Sequence, residues 1–338
     1  SRPQEPKPPY PYRVEEVTFE NTKAGVTLAG TLTLPEKGEH YPVVVLISGS
    51  GPQNRDEELM AHKPFLVLAD YLTRQGIGVL RFDDRGVGQS TGNFGTATTL
   101  DFAGDVEAAV NFLKNDRKIR NIGLIGHSEG GMIAPLVASR SGDVAFIVLL
   151  AGPGLRGDRI LLEQQKEMGK VTGATRKDLE YSSVVNRKCF DLVLESSSSE
   201  EAEVPLKKYM DSLNQAGKLP ANMRDERGAE LWRKQVLSPW MYFFVKYDPV
   251  PVLRSVKCPV LALNGSNDLQ VLPENLGIIK KGLEAGKNRS VTVVELPGLN
   301  HLFQTCESGS PALYGTIEET FSPVALQEIG DWIKGKGF

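Results

Sequence analysis

The chain has 338 residues, is 40% hydrophobic and 24% charged, and carries a formal net charge of −3. That balance is that of a globular protein. With no basic excess or basic stripe it gives no footprint for nucleic acid, and no apolar run approaches the ~20 residues that span a bilayer. Cys189, Cys258 and Cys306 are too few and too scattered for a disulfide framework or a zinc site, and read as free thiols.

Residues 1–12 are proline-rich and read as an extended leader. The first residue is Ser1, and a proline-rich tether of this kind favours a periplasmic or secreted protein, with a cytoplasmic one as the alternative. Arg13 to Glu20 and Val26 to Leu34 alternate apolar and polar residues around a turn, as in an antiparallel hairpin with one wet face. The rhythm then changes. Val43 to Ile47 is a continuous β-branched run, as in a strand buried on both faces. Phe65 to Arg74 has helical spacing, Gly78 to Phe82 reads as a strand, and Phe102, Val106, Ala109, Val110 and Leu113 mark one face of a helix. Ile122 to Gly126 and Phe146 to Leu150 are further buried strands, with a helix from Gly131 to Ser139 between them; Pro135 is expected to kink it.

Residues 154–250 break the alternation. Ile160 to Val171, Leu179 to Leu194, Val204 to Gln215 and Gly228 to Leu237 have helical periodicity, and no strand lies among them. Ser196 to Ser199 with Glu200 and Glu201 read as a solvated loop. The strand–helix series resumes with Pro259 to Leu263, Pro273 to Ala285, Val291 to Leu296 and Pro323 to Lys334. The fold class that follows is α/β: a doubly wound, mostly parallel sheet formed by residues 13–153 and 251–338, carrying residues 154–250 as an inserted helical cap.

Gly126-His127-Ser128-Glu129-Gly130 lies between a strand-like run and a helix-like run. A Gly-x-Ser-x-Gly in that context holds its serine on a tight elbow with the hydroxyl exposed at the carboxyl edge of the sheet. Gly88-Gln89-Ser90-Thr91-Gly92 fits the same pattern, but it follows a turn and precedes a loop, so Ser128 is the candidate nucleophile. Its base and orienting acid should follow in the order acid, then histidine. Of the four histidines, His40 and His62 precede the serine and His127 should point to the other side of the turn. His301 alone obeys the order, in a Pro-Gly loop after the last strand. Asp268, in the glycine turn ending the preceding strand, is the candidate acid; an ordinary role as a turn residue is its bland alternative. Asp248 is the rival, with no strand leading into it. Two N–H donors are required for the developing oxyanion: Glu129, following the nucleophile, and Ser50 in the glycine-rich loop Ser48 to Pro52. That loop has neither a Gly-x-x-x-x-Gly-Lys nor a dinucleotide fingerprint to mark it as a phosphate cradle.

These residues, with the turn Phe82 to Ser90 and the segment Ile47 to Asp56, resemble the α/β-hydrolase superfamily, in particular bacterial serine carboxylesterases with a helical cap. The resemblance covers about Val14 to Lys334. It departs at Ser48, where many relatives have histidine. It implies an acyl-enzyme mechanism that needs no metal or organic cofactor, a small-molecule ester substrate, and a structural, ion-paired role for Asp83 and Arg85. Aminopeptidase or acyl thioesterase action is the enzymatic alternative, since the same three groups cleave amides and thioesters. A noncatalytic ligand-binding protein is the alternative of another class. Trp240 to Phe244 either line the pocket or pack the cap on the body.

Overall fold

The computed structural model describes residues 1–338. The leader forms no regular element before Tyr12, where β1 begins, and it is docked rather than free. Arg2 donates to the carbonyl oxygens of Met60 (2.9 Å) and Gly315 (2.8 Å), and Gln4 Oε1 accepts from the N–H groups of Thr320 (2.6 Å) and Phe321 (3.0 Å).

Eight strands make one sheet: β1 (Tyr12–Asn21), β2 (Val26–Pro35), β3 (Tyr41–Ile47), β4 (Gly78–Phe82), β5 (Ile119–His127), β6 (Val144–Leu150), β7 (Val260–Gly265) and β8 (Val291–Leu296), in the spatial order β1-β2-β4-β3-β5-β6-β7-β8. β2 pairs antiparallel with both neighbours and every other pairing is parallel, so β2 alone runs against the sheet. The expected hairpin is present, but its wet face belongs to β1 only. β2 is buried on both faces because it lies second from the edge, between β1 and β4.

Alternation along β3 divides the core. Val43, Val45 and Ile47 pack with α2 (Thr99–Leu113), α3 (Gly130–Ser139) and α10 (Asn275–Ala285) on one face. Val44 and Leu46 pack with α1 (Pro64–Arg74) and α11 (Pro323–Gly335) on the other. The chain therefore leaves β3 toward one face and β5 toward the opposite face. The connections leaving these two adjacent, paired strands part at their carboxyl ends, the position at which open α/β sheets hold ligands. α3 continues as helix through Pro135.

Between β6 and β7 lie α4 (Gly157–Val171), α5 (Arg176–Glu195), α6 (Ser199–Gln215), α7 (Glu226–Val236), α8 (Pro239–Lys246) and the short α9 (Val250–Leu253). α5, α6 and α7 bury a small core of their own around Val185, Cys189, Leu206 and Met210. One local expectation needs correction in part. Of the serine-rich stretch only Ser196 to Ser198 are loop, and Ser199 to Glu201 begin α6: Ser198 Oγ accepts from Glu201 N–H, and Glu200 and Glu201 occupy the first turn, where acidic side chains oppose the helix dipole. The aromatic run Trp240 to Phe244 is itself helical, with Ser238 as its cap and Pro239 in the first turn. All three cysteines are free, and no helix is long and apolar enough to cross a membrane.

Candidate active site

Ser128 sits between the end of β5 and the start of α3 with φ of 56°, a left-handed conformation that costs a non-glycine residue energy. Its N–H donates to Leu150 O (2.9 Å) and its carbonyl accepts from Gly131 N–H (2.8 Å), which fixes the turn. The flanking glycines are sterically required. A Cβ on Gly126 would lie 1.9 Å from Gly130 O, and one on Gly130 would lie 2.2 Å from Ile47 O.

His301 and Asp268 reach the same edge from the turns after β8 and β7. His301 Nε2 is 3.1 Å from Ser128 Oγ, and His301 Nδ1 is 2.8 Å from Asp268 Oδ2. With Nδ1–H donated to the carboxylate, Nε2 carries the lone pair that accepts from the serine hydroxyl. Asp268 also does the work of a turn residue: its Oδ1 accepts from the N–H groups of Gln270 (2.8 Å) and Val271 (3.0 Å). Asp268 thus meets His301 with one oxygen and the turn with the other. Asn300 shapes the histidine loop, its Oδ1 accepting from Leu302 and Gln304 N–H, both at 3.0 Å.

The loop after β3 faces the elbow. A Cβ on Gly49 would lie 3.2 Å from Ser128 Cβ, so this backbone passes close by the serine. Neither the Ser50 N–H nor the Glu129 N–H has an acceptor within the protein. Ser48 donates its hydroxyl to Asp84 Oδ1 (2.9 Å). Burial pushes the Asp84 carboxyl up to about 7, against the pull of its bonds from Gln53 N–H and Ser48.

Two cavities meet at Ser128. The larger, about 380 Å³, lies under α4 and α8 and is lined by Ile160, Leu161, Trp240, Met241 and Phe244 together with Glu129. The smaller, about 190 Å³, lies on the His301 side and is mostly polar, with Gln53, Glu57, His62, His127 and Thr320. No lysine or arginine lines either one. The aromatic run does both things: Trp240, Met241 and Phe244 line the cavity, and Phe244 also packs in one apolar cluster with Met132 of α3 in the body. Trp240 Nε1–H donates to Glu129 Oε2 at 2.7 Å. Burial pushes the Glu129 carboxyl up to about 8, with the indole bond pulling it down and nearby Asp84 adding to the rise.

Beside Ser128, His127 turns away from the hydroxyl. Its Nδ1 is 2.8 Å from Glu57 Oε1 and its Nε2 is 2.9 Å from the His301 carbonyl oxygen. Burial opposes charge on this ring, but the adjacent Glu57 carboxylate and the His301 carbonyl outweigh it and raise the imidazole above its ordinary value. No local pattern in the sequence marks Glu57.

The remaining candidates have other occupations. Ser90 Oγ donates to Asp83 O (2.7 Å) and accepts from Ala29 N–H (3.0 Å). Asp248 is exposed and accepts from Val250 N–H at 3.0 Å. Asp83 and Arg85 are ion-paired, though not to each other: Asp83 pairs with Arg55 at 3.0 Å, and Arg85 makes two 2.8 Å bonds to Asp105. No group of three or more His, Cys, Asp or Glu side chains is arranged to hold a metal ion.

A parallel sheet with its second strand reversed, and a serine elbow at its carboxyl edge, define an α/β hydrolase. The chain belongs to the serine aminopeptidase S33 family, whose model matches residues 62–305. It is 24% identical to the esterase EstD of Thermotoga maritima over 324 residues, which cover 96% of this chain and 69% of that relative. In fold it is similar to the Pyrococcus furiosus esterase Pf2001, with a TM-score of 0.56 and 18% identity over 96% of this chain and 93% of that one. It is equally similar to Est1E from Butyrivibrio proteoclasticus, solved with ferulic acid bound, with a TM-score of 0.56 and 16% identity over 94% of this chain and 98% of that one.

Proposed function

We propose that the chain is a serine carboxylesterase that hydrolyses small to medium, uncharged carboxylic esters through Ser128, His301 and Asp268. The observation that carries this reading is the continuous hydrogen-bonded path from Ser128 Oγ to His301 Nε2 (3.1 Å) and from His301 Nδ1 to Asp268 Oδ2 (2.8 Å). His301 takes the serine proton as Oγ attacks the carbonyl carbon, and Asp268 stabilises the imidazolium that forms. The Ser50 and Glu129 N–H groups, free of protein acceptors, bind the tetrahedral oxyanion. His301 then protonates the departing alcohol, and water activated by the same nitrogen releases the acid from the acyl-enzyme.

The two cavities divide the substrate. The departing oxygen must lie on the His301 side, so the small polar cavity receives the alcohol. The larger apolar cavity, roofed by α4 and α8 as a cap, receives the acyl chain. An aminopeptidase needs an ionised carboxylate for the substrate ammonium. Glu129, the acid of the larger cavity, is held protonated up to about 8, and Glu57, the acid of the smaller one, already faces His127. Coenzyme-A thioesters bring phosphates that no cationic side chain in either cavity would meet. Both observations favour neutral esters over the family's aminopeptidase label and over thioesters.

The test is Ser128→Ala assayed on p-nitrophenyl acyl esters, acyl thioesters and aminoacyl anilides. Turnover should fall by at least ~10⁴-fold with the fold intact. Retained esterase activity refutes the assignment. A fluorophosphonate should label the wild-type serine; an unlabelled protein is instead a ligand binder on this fold.

A further inference from the structure

Glu57 and His127 together join two loops that the chemistry needs in register. Glu57 is 5% exposed and held at a φ of 49°, an uncommon conformation for a residue with a side chain. Its Oε2 accepts from Gly49 N–H at 2.8 Å, one residue before Ser50 in the loop that faces Ser128. Its Oε1 lies 2.8 Å from His127 Nδ1, and His127 Nε2 lies 2.9 Å from the carbonyl oxygen of His301. A carbonyl oxygen only accepts, so Nε2 carries a proton. Nδ1 faces the Glu57 carboxyl at 2.8 Å, a charge contact without hydrogen-bond alignment, and that contact raises the imidazole above its ordinary value against the opposing effect of burial. The path runs from the Gly49 peptide through Glu57 and His127 to the His301 peptide, and passes through the residue next to Ser128.

We infer that Glu57 and His127 are positioning residues, which act through the Gly49 and His301 peptides to hold the oxyanion loop and the backbone of the base in register about Ser128. The inference rests on the esterase reading above. A displacement of ~1 Å at either loop is enough to cost about 10²-fold in the chemical step. The loss should fall on kcat rather than KM, because the groups being held act on the transition state.

The side-chain geometry gives opposite expectations for two conservative variants. Glu57→Gln keeps the length: its Oε1 accepts from Gly49 N–H and its amide N–H donates to a neutral His127, whose Nε2–H stays on His301 O. Glu57→Asp keeps the charge but is one methylene too short to reach both partners. The experiment is steady-state kinetics on a p-nitrophenyl ester for both variants and for His127→Gln, with circular dichroism and melting curves, and with Ser128→Ala as control. Glu57→Gln should keep kcat within about threefold, whereas Glu57→Asp and His127→Gln should lose about 10²-fold in kcat with KM within about threefold. Full activity in Glu57→Asp, equal impairment of Glu57→Gln and Glu57→Asp, or a loss confined to KM overturns the inference. Should Glu57→Asp not fold, undiminished kcat in His127→Gln does the same. An active Ser128→Ala would instead sink the esterase reading; an inactive one beside fully active Glu57 variants sinks only this inference.

Discussion

The indole N–H of Trp240 donates to the carboxyl of Glu129 at 2.7 Å, and that bond ties α8 of the helical insertion to the residue that follows Ser128. Glu129 holds two positions at once. Its backbone N–H has no acceptor within the protein, and its buried side chain meets the roof of the larger cavity. A single residue therefore couples the placement of the insertion to the elbow. The ring of Trp240 is braced from the other side by stacking on Phe244 at 4.9 Å.

The raised carboxyl of Glu129 has a stability consequence with a definite sign. Burial moves it from 4.5 to about 8, so between those values the folded chain binds a proton that the unfolded chain has released. Stability from this group is complete below about 4.5 and is lost as the pH rises through about 8. Glu129→Gln accepts the same indole N–H and carries no charge to bury. Urea unfolding at pH 5, 7 and 9 should show the variant gaining on the wild type as pH rises, by a few kcal/mol at most. A difference that stays flat with pH would mean the carboxyl is solvated.

Asp268 offers a way to disturb the base without disturbing the turn. In Asp268→Asn the amide oxygen can keep the N–H groups of Gln270 and Val271, which lie 2.8 and 3.0 Å from Oδ1. The amide nitrogen then faces His301 Nδ1 and forces the other tautomer, with its proton on Nε2 toward Ser128. We expect kcat to fall by ~10⁴-fold while the melting temperature barely moves. A large fall in melting temperature with modest loss of rate would assign Asp268 to structure alone.

Much of this arrangement was legible in the sequence, for identifiable reasons. Val43 to Ile47 and Phe146 to Leu150 are covered on both faces, so their strands are continuous apolar runs. Ser128 and Asp268 follow buried strands and His301 follows the half-buried edge strand β8, and strand ends share an edge. What escaped notice depends on contacts between distant segments. The pairing of Glu57 with His127 spans 70 positions and exists only because the loop after β3 folds back at positive φ. The burial of β2 follows from its place beside β4, which alternation within one hairpin does not reveal. Two signals were present and under-read: Ser198 with Glu201 three residues on is a helix start, as is Ser238 before Pro239.

Trp240 sets the reach of the larger cavity, so shortening it should change which acyl chains fit. Removing the indole in Trp240→Ala opens the roof beside Glu129 and leaves Phe244 and Met241 in place along the wall. Each extra methylene accommodated in an apolar pocket changes selectivity by about 1–3 kcal/mol at most. The ratio of kcat/KM for p-nitrophenyl octanoate over butyrate should therefore rise by about tenfold or more. The lost hydrogen bond should cost about 1 kcal/mol of stability, which a melting curve will separate from the change in preference. An unchanged chain-length profile in a folded variant would move the acyl chain out of this cavity and into the smaller one beside His301.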